Sequence, residues 1–83
     1  MQPDILKELF LKTVEEQMAK NDPPETAQTL ERLKKEGYTE ENAKLVIAQC
    51  VAAEMVRVIS TKMPFDRHRF VQCLEQLPKP PTD

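Results

Sequence analysis

The sequence holds one glycine, one tyrosine, three phenylalanines and no tryptophan. β-Sandwiches and barrels draw on turn glycines and aromatic-rich strands, so this scarcity argues against both. Cysteine is nearly as rare. Cys50 and Cys73 stand 23 residues apart, no CxxC occurs, and His68 is the single histidine. A structural zinc site needs more ligands and a disulfide framework more cysteines. The two thiols are therefore expected to be free and to act as small core hydrophobes, which suits a reducing compartment. No apolar run is long enough to span a membrane, and Met1-Gln2-Pro3-Asp4 lacks the basic region and apolar stretch of a signal peptide. The expected setting is the cytoplasm. Neither sign of charge dominates: 12 basic and 14 acidic residues leave a net charge of -2. That balance supplies no strong attraction to nucleic acid or to an anionic membrane.

What is present suits one small globular domain. Of 83 residues, 40% are hydrophobic, too many for a disordered chain. A chain of this length buries ~60–65% of its unfolded surface, enough for one modest core. Residues 1–77 are read as a single all-α domain of four helices, and the proline-rich segment 78–83 as a disordered tail.

Helix boundaries follow from capping chemistry. A first helix is expected from about Pro3 to Lys20, with Ile5, Leu6, Leu9, Phe10, Val14 and Met18 at helical spacing and Leu11 widening the face. Asn21-Asp22-Pro23-Pro24 breaks the chain. Asp22 is the expected N-cap of the second helix, with Pro23 its first residue and Glu25 the reciprocal capping partner. Ala27, Leu30 and Leu33 form its narrow apolar face, and Gly37 closes it. Thr39 caps a third helix, from about Glu40 to Thr61. Its middle is apolar at nearly every position from Leu45 to Ile59, so it is expected to lie buried at the centre of the fold. The residues assigned to the core are Leu45, Ile47, Ala48, Val51, Ala52, Met55, Val58 and Ile59. Asp66 caps a fourth helix, from about Arg67 to Gln76, with Phe65 as the hydrophobic anchor before the cap. The expected architecture is a compact array of helices around the long, nearly all-apolar third.

Chemistry is sparse. Catalysis by serine or cysteine requires a partnered base, and the one conventional candidate, His68, lies between Arg67 and Arg69. It reads as a solvated first-turn residue, and no catalytic residue is assigned. Carboxylate metal sites use convergent acids with Glu-x-x-His pairs. Glu15-Glu16, Glu40-Glu41 and Glu54 show no such pattern, so no metal or other cofactor is expected. Glu54 is the least expected charge in the chain, because it sits on the most apolar helix. A buried carboxylate there requires a partner, and Arg57, three residues on, can reach it. Arg67 and Arg69 are further candidates once the fourth helix folds back. Arg57, Lys62, Arg67 and Arg69, with His68, form a basic rim around the loop between helices 3 and 4. The segment Pro78–Pro81 loosely resembles a polyproline ligand and reads more simply as a terminator.

Two resemblances can be stated. Leu30-x-x-Leu33-x-x-x-Gly37-Tyr38-Thr39-x-Glu41-x-Ala43 resembles the first loop of ubiquitin-associated-type three-helix modules. Lys35-Glu36 replace the apolar residues before the glycine in that pattern, and the third helix is about twice too long for it. Helix capping alone accounts for the match. More broadly, the chain resembles small uncharacterised bacterial all-helical proteins of unknown function. The resemblance rests on Leu9 through Glu16-Gln17, Asp22-x-Pro24, Leu30-x-x-Leu33, the Ala/Val-rich helix with Glu54, Pro64-x-Asp66, Phe70 and Leu74-x-x-Leu77-Pro78. It implies an all-helical fold and a bacterial intracellular setting, and no activity. Histidines pictured on the first and third helices of longer relatives have no counterpart here, so no metal role carries over.

The functional expectation is a non-enzymatic protein-interaction module. The apolar face of Leu6, Leu9, Phe10, Leu11 and Val14 is a candidate surface for a partner or for a homodimer. The alternative is a nucleic-acid-associated regulator acting through the basic rim.

Overall fold

The computed structural model describes residues 3–78, with side chains from residue 7 onward. Within them the chain is all-α, with α1 at Pro3–Lys20, α2 at Pro24–Lys35, α3 at Glu40–Thr61 and α4 at Arg67–Gln76. The expected tail beyond Pro78 and the side chains of Ile5 and Leu6 lie outside the described residues.

Each of the first three helices ends on a residue with positive φ. Asn21 (φ 51°) closes α1, with the Asp22 N–H donating to Gln17 O at 2.9 Å and the Asn21 N–H to Met18 O at 3.2 Å. Gly37 (φ 107°) closes α2 in the same way, with Tyr38 N–H to Leu33 O and Gly37 N–H to Lys34 O, both at 3.1 Å. These are Schellman motifs, and asparagine and glycine are the residues that adopt left-handed backbone most readily. Lys62 (φ 61°) ends α3 with a single bond to Val58 O at 2.8 Å.

The start of α2 differs from the sequence reading. Asp22 is the last residue of α1's termination and does not cap α2, which begins at Pro24 after Pro23 without any side-chain cap. Pro24 has no N–H to leave unpaired at this position. Glu25 forms no capping box, and its Oε1 is buried without a hydrogen-bond partner. Thr39 and Asp66 do cap as expected. The Thr39 hydroxyl accepts from Asn42 N–H at 3.0 Å, and Asp66 Oδ1 accepts from the N–H groups of His68 and Arg69 at 3.0 and 3.2 Å. Phe65 packs on Phe70, with ring centroids 5.6 Å apart, as the hydrophobic staple of α4.

α3 packs against all three other helices. The core comprises Val14, Leu30, Leu33, Ala43, Ile47, Ala48, Cys50, Val51, Phe70, Leu74 and Leu77, with Thr26 and Thr29 buried beside it. The Thr26 hydroxyl is satisfied by donating to Gln17 Oε1 at 2.9 Å, which ties α2 to α1.

α3 is continuous, but it is not buried all round. Ile47, Ala48 and Val51 are buried, whereas Leu45, Ala52, Met55 and Val58 are half-buried. Ile59 was expected in the core and is 77% exposed, and Val56 is 62% exposed. The reason is length. Twenty-two residues of helix extend about 33 Å at ~1.5 Å per residue. The 18 residues of α1, 12 of α2 and 10 of α4 cover about 27, 18 and 15 Å, so no neighbour runs its full length. The C-terminal third of α3 therefore keeps one face in solvent.

Candidate functional site

The surface between the second half of α3 and α4 gathers the unusual residues of the chain. Its centre is Glu54, buried on α3 with 5% of its surface exposed. Oε2 accepts from Arg57 Nε and Nη2 at 2.9 and 2.7 Å and from the Asp66 N–H at 3.0 Å. Oε1 lies 3.5 Å from Arg69 Nε. Burial pushes the carboxyl up, but the hydrogen bonds from Arg57 and Asp66 and the charges of Arg57 and Arg69 outweigh it, and Glu54 is held below the ordinary glutamate range. The carboxylate in turn raises the pKa of Arg57. The expected pairing of Glu54 is present with Arg57 and Arg69. Arg67 turns away and pairs with Asp22 at 3.2 Å.

The basic rim is thus largely engaged internally. Arg57 also donates to Pro64 O at 2.9 Å, holding the loop after α3. Lys62 is exposed in that loop, and His68 is exposed on α4.

The two cysteines are not free thiols. Cys50 on α3 and Cys73 on α4 form a disulfide, with Cα atoms 5.8 Å apart. The cause is tertiary. Cys73 precedes the buried Leu74 and follows the buried Phe70 by three residues, so docking that face of α4 brings its sulfur onto Cys50. A spacing of 23 residues carries no sign of this. It is one cross-link between two helices, and not a framework.

Beside the disulfide runs an open groove of about 540 Å³, lined by both cysteines, Glu54, Arg57, Arg69 and Phe70, with Ala53, Val56, Ser60, Thr61, Gln72 and Gln76. A second groove of about 380 Å³ is lined by Leu11, Glu15, Glu40, Glu41 and Lys44. There Lys44 Nζ bridges Glu40 at 3.3 Å and Glu15 at 3.8 Å. The hydrogen bond and charge of Lys44, with Lys34 beyond, lower the pKa of Glu40. Among the described residues no three of His, Cys, Asp and Glu come together as a cation site, and no helix is long and apolar enough to cross a membrane.

The α1 face proposed from sequence as a partner surface is mostly used within the monomer. Val14 is fully buried, which removes it from any surface, and Phe10 and Leu11 are half-buried against the core. Leu9 alone of the four described side chains is exposed, at 53%. The large exposed apolar residues lie instead at the far end of α3 and in the loop after it: Val56, Ile59, Met63 and Phe65. Sequence reasoning missed this patch by counting Ile59 into the core. The mismatch in length between α3 and its short neighbours was the available signal.

No protein-family profile matches the sequence, and no characterised protein or solved structure is significantly similar to it.

Proposed function

We propose that the chain is a non-enzymatic protein-interaction module that binds a partner through the C-terminal end of α3. The observation that carries this reading is the exposure of Val56, Ile59, Met63 and Phe65 in one stretch of chain. Large apolar side chains left in solvent so close together along the chain are candidates for burial against a partner. Lys62 is exposed in the same stretch, so the fitting partner is an apolar helix face edged by carboxylates. A second copy of the chain is the other possible occupant of this surface, and the sedimentation experiment below separates the two. The nucleic-acid reading has less support, because Glu54 and Asp22 already engage Arg57, Arg69 and Arg67. The compartment proposed from the sequence is the cytoplasm; the free thiols that suited it are replaced by a Cys50–Cys73 bond, which is uncommon there.

The test compares the wild-type chain with Ile59→Glu by cross-linking and affinity purification from the native cell, together with sedimentation of the pure protein. The expected result is a monomer that recruits one defined protein, which Ile59→Glu loses while its helical circular dichroism is unchanged. Identical recovery by both proteins, or a wild-type dimer that Ile59→Glu dissociates, overturns the assignment of a heterologous partner to this surface.

A further inference from the structure

The disulfide is asymmetric. Cys50 is 1% exposed on the core face of α3, whereas Cys73 is half-buried. Both line the same open cleft of about 540 Å³, within the ~300–1,000 Å³ range of small-molecule clefts. Glu54, the one acidic group among the described lining residues, is buried with both oxygens engaged. The exposed charge of the cleft is therefore cationic, chiefly from Arg69. Arg69 precedes Cys73 by four residues on α4, so its guanidinium, on a side chain 55% exposed, shares a helix face with that sulfur. Ser60, Thr61, Gln72 and Gln76 add uncharged polar groups.

We propose that Cys73 is a thiol–disulfide exchange site for small thiols that carry carboxylates. It rests on the disulfide and not on the partner reading, although Val56 belongs to both surfaces. The incoming thiolate, its carboxylates drawn by Arg69, attacks Cys73 Sγ from the cleft. A bond forms between the two sulfurs as the Cys50–Cys73 bond breaks, and its electron pair leaves on Cys50 Sγ. That sulfur regains, through the cleft, the proton that the small thiol released to solvent on ionising, because a thiolate buried among apolar groups is disfavoured. One sulfur–sulfur bond replaces another, with no net oxidation. A second small thiol attacking the mixed disulfide releases the oxidised small thiol and leaves both cysteines reduced. The reverse attack by Cys50 restores the cross-link. Nearby cations stabilise the approaching thiolate and the carboxylates, whereas burial shields Cys50 from direct attack.

The test uses the full chain in its oxidised form and two probes of opposite charge, glutathione and cysteamine, compared at equal thiolate concentration. The expected result is a single mixed disulfide, located at Cys73 by peptide mass spectrometry. Glutathione should react about three- to tenfold faster than cysteamine at low ionic strength, with the gap closing as salt is raised. Arg69→Gln should reduce that preference. Should this variant fold poorly, the two wild-type rates decide the matter. Adducts on Cys50, equal rates for the two thiols at low salt, or no adduct with either thiol would each overturn the proposal.

Discussion

Glu54 Oε2 accepts the backbone N–H of Asp66 at 3.0 Å, so a carboxylate on α3 holds the residue that caps α4. The same oxygen takes two donors from Arg57, whose guanidinium also binds Pro64 O. One ion pair thereby fixes both the loop between the helices and the entry of α4. Asp66, held by its own N–H, is placed to receive the first amides of α4.

Replacement of Glu54 by alanine removes the acceptor for all of these donors at a position almost closed to water. The expected loss is ~1–3 kcal/mol, the cost of unmade charge-assisted bonds in a partly buried setting. Urea unfolding should show a lower midpoint with an unchanged slope. A midpoint equal to that of the wild type would mean that α4 docks without this carboxylate.

Acid should act on the same group. The native pKa of Glu54 is lowered, so the folded state binds its proton less readily than the unfolded chain does. Its contribution is present in full above the ordinary glutamate value and is lost as pH falls through the lowered native one. Thermal melts between roughly pH 2 and 5 should show stability declining toward acid. Glu54→Gln should flatten that decline by up to the share of one proton. A variant as acid-sensitive as the wild type would remove Glu54 from the account. Glu40 is also lowered, but it is solvent-exposed and its pairing with Lys44 is screened.

The four helices were legible because their ends are written in local chemistry. Gly37, Thr39 and Asp66 act within a few residues of themselves, where sequence spacing decides geometry. The pairing of Glu54 with Arg57 was legible for the same reason, being three residues apart on one helix. Asp22 was misread because two helix ends compete for it, and the termination of α1 takes it. The exposure of Ile59, the disulfide and the use of Val14 in the core depend on which helix covers which. Periodicity specifies a face but not its neighbour. The role of Arg32 belongs to the same class, since the carbonyls it binds lie more than forty residues away.

Arg32 Nη1 and Nη2 donate to Leu77 O and Leu74 O, both at 2.9 Å, from α2 across to the end of α4. The last carbonyls of a helix have no partner within it, and here a guanidinium fork supplies two donors. Lysine offers a point charge and cannot span both oxygens in that way. Arg32→Lys should therefore cost ~1–2 kcal/mol and accelerate amide exchange across Arg67–Gln76. Retained protection there would show that the fork adds nothing to the docking of α4.

The cross-link gives the sharpest stability prediction, because α4 is too short to persist alone. Isolated helices below ~12–15 residues are marginal in water, and α4 has 10. It is held by the burial of Phe70 and Leu74, by Arg32 at one end, by Glu54 at the other, and by Cys73 bonded to Cys50. A closed loop with a separation of 23 residues restricts the unfolded chain, and on the chain-entropy account its opening costs ~2–4 kcal/mol. Domains of this size have ~5–15 kcal/mol in total, so that loss is a large fraction. Urea unfolding with and without a reductant should shift the midpoint down on reduction. The double variant Cys50→Ala/Cys73→Ala should reproduce the reduced midpoint and ignore the reductant. Native-state amide exchange of the reduced protein should rise first in α4, while the amides around Val14, Leu33 and Ile47 keep most of their protection. Uniform loss of protection across all four helices would show instead that α4 and the three-helix core unfold as one unit, with the disulfide stabilising the whole. An unchanged midpoint would show that packing of Phe70 and Leu74 suffices to hold α4 in place.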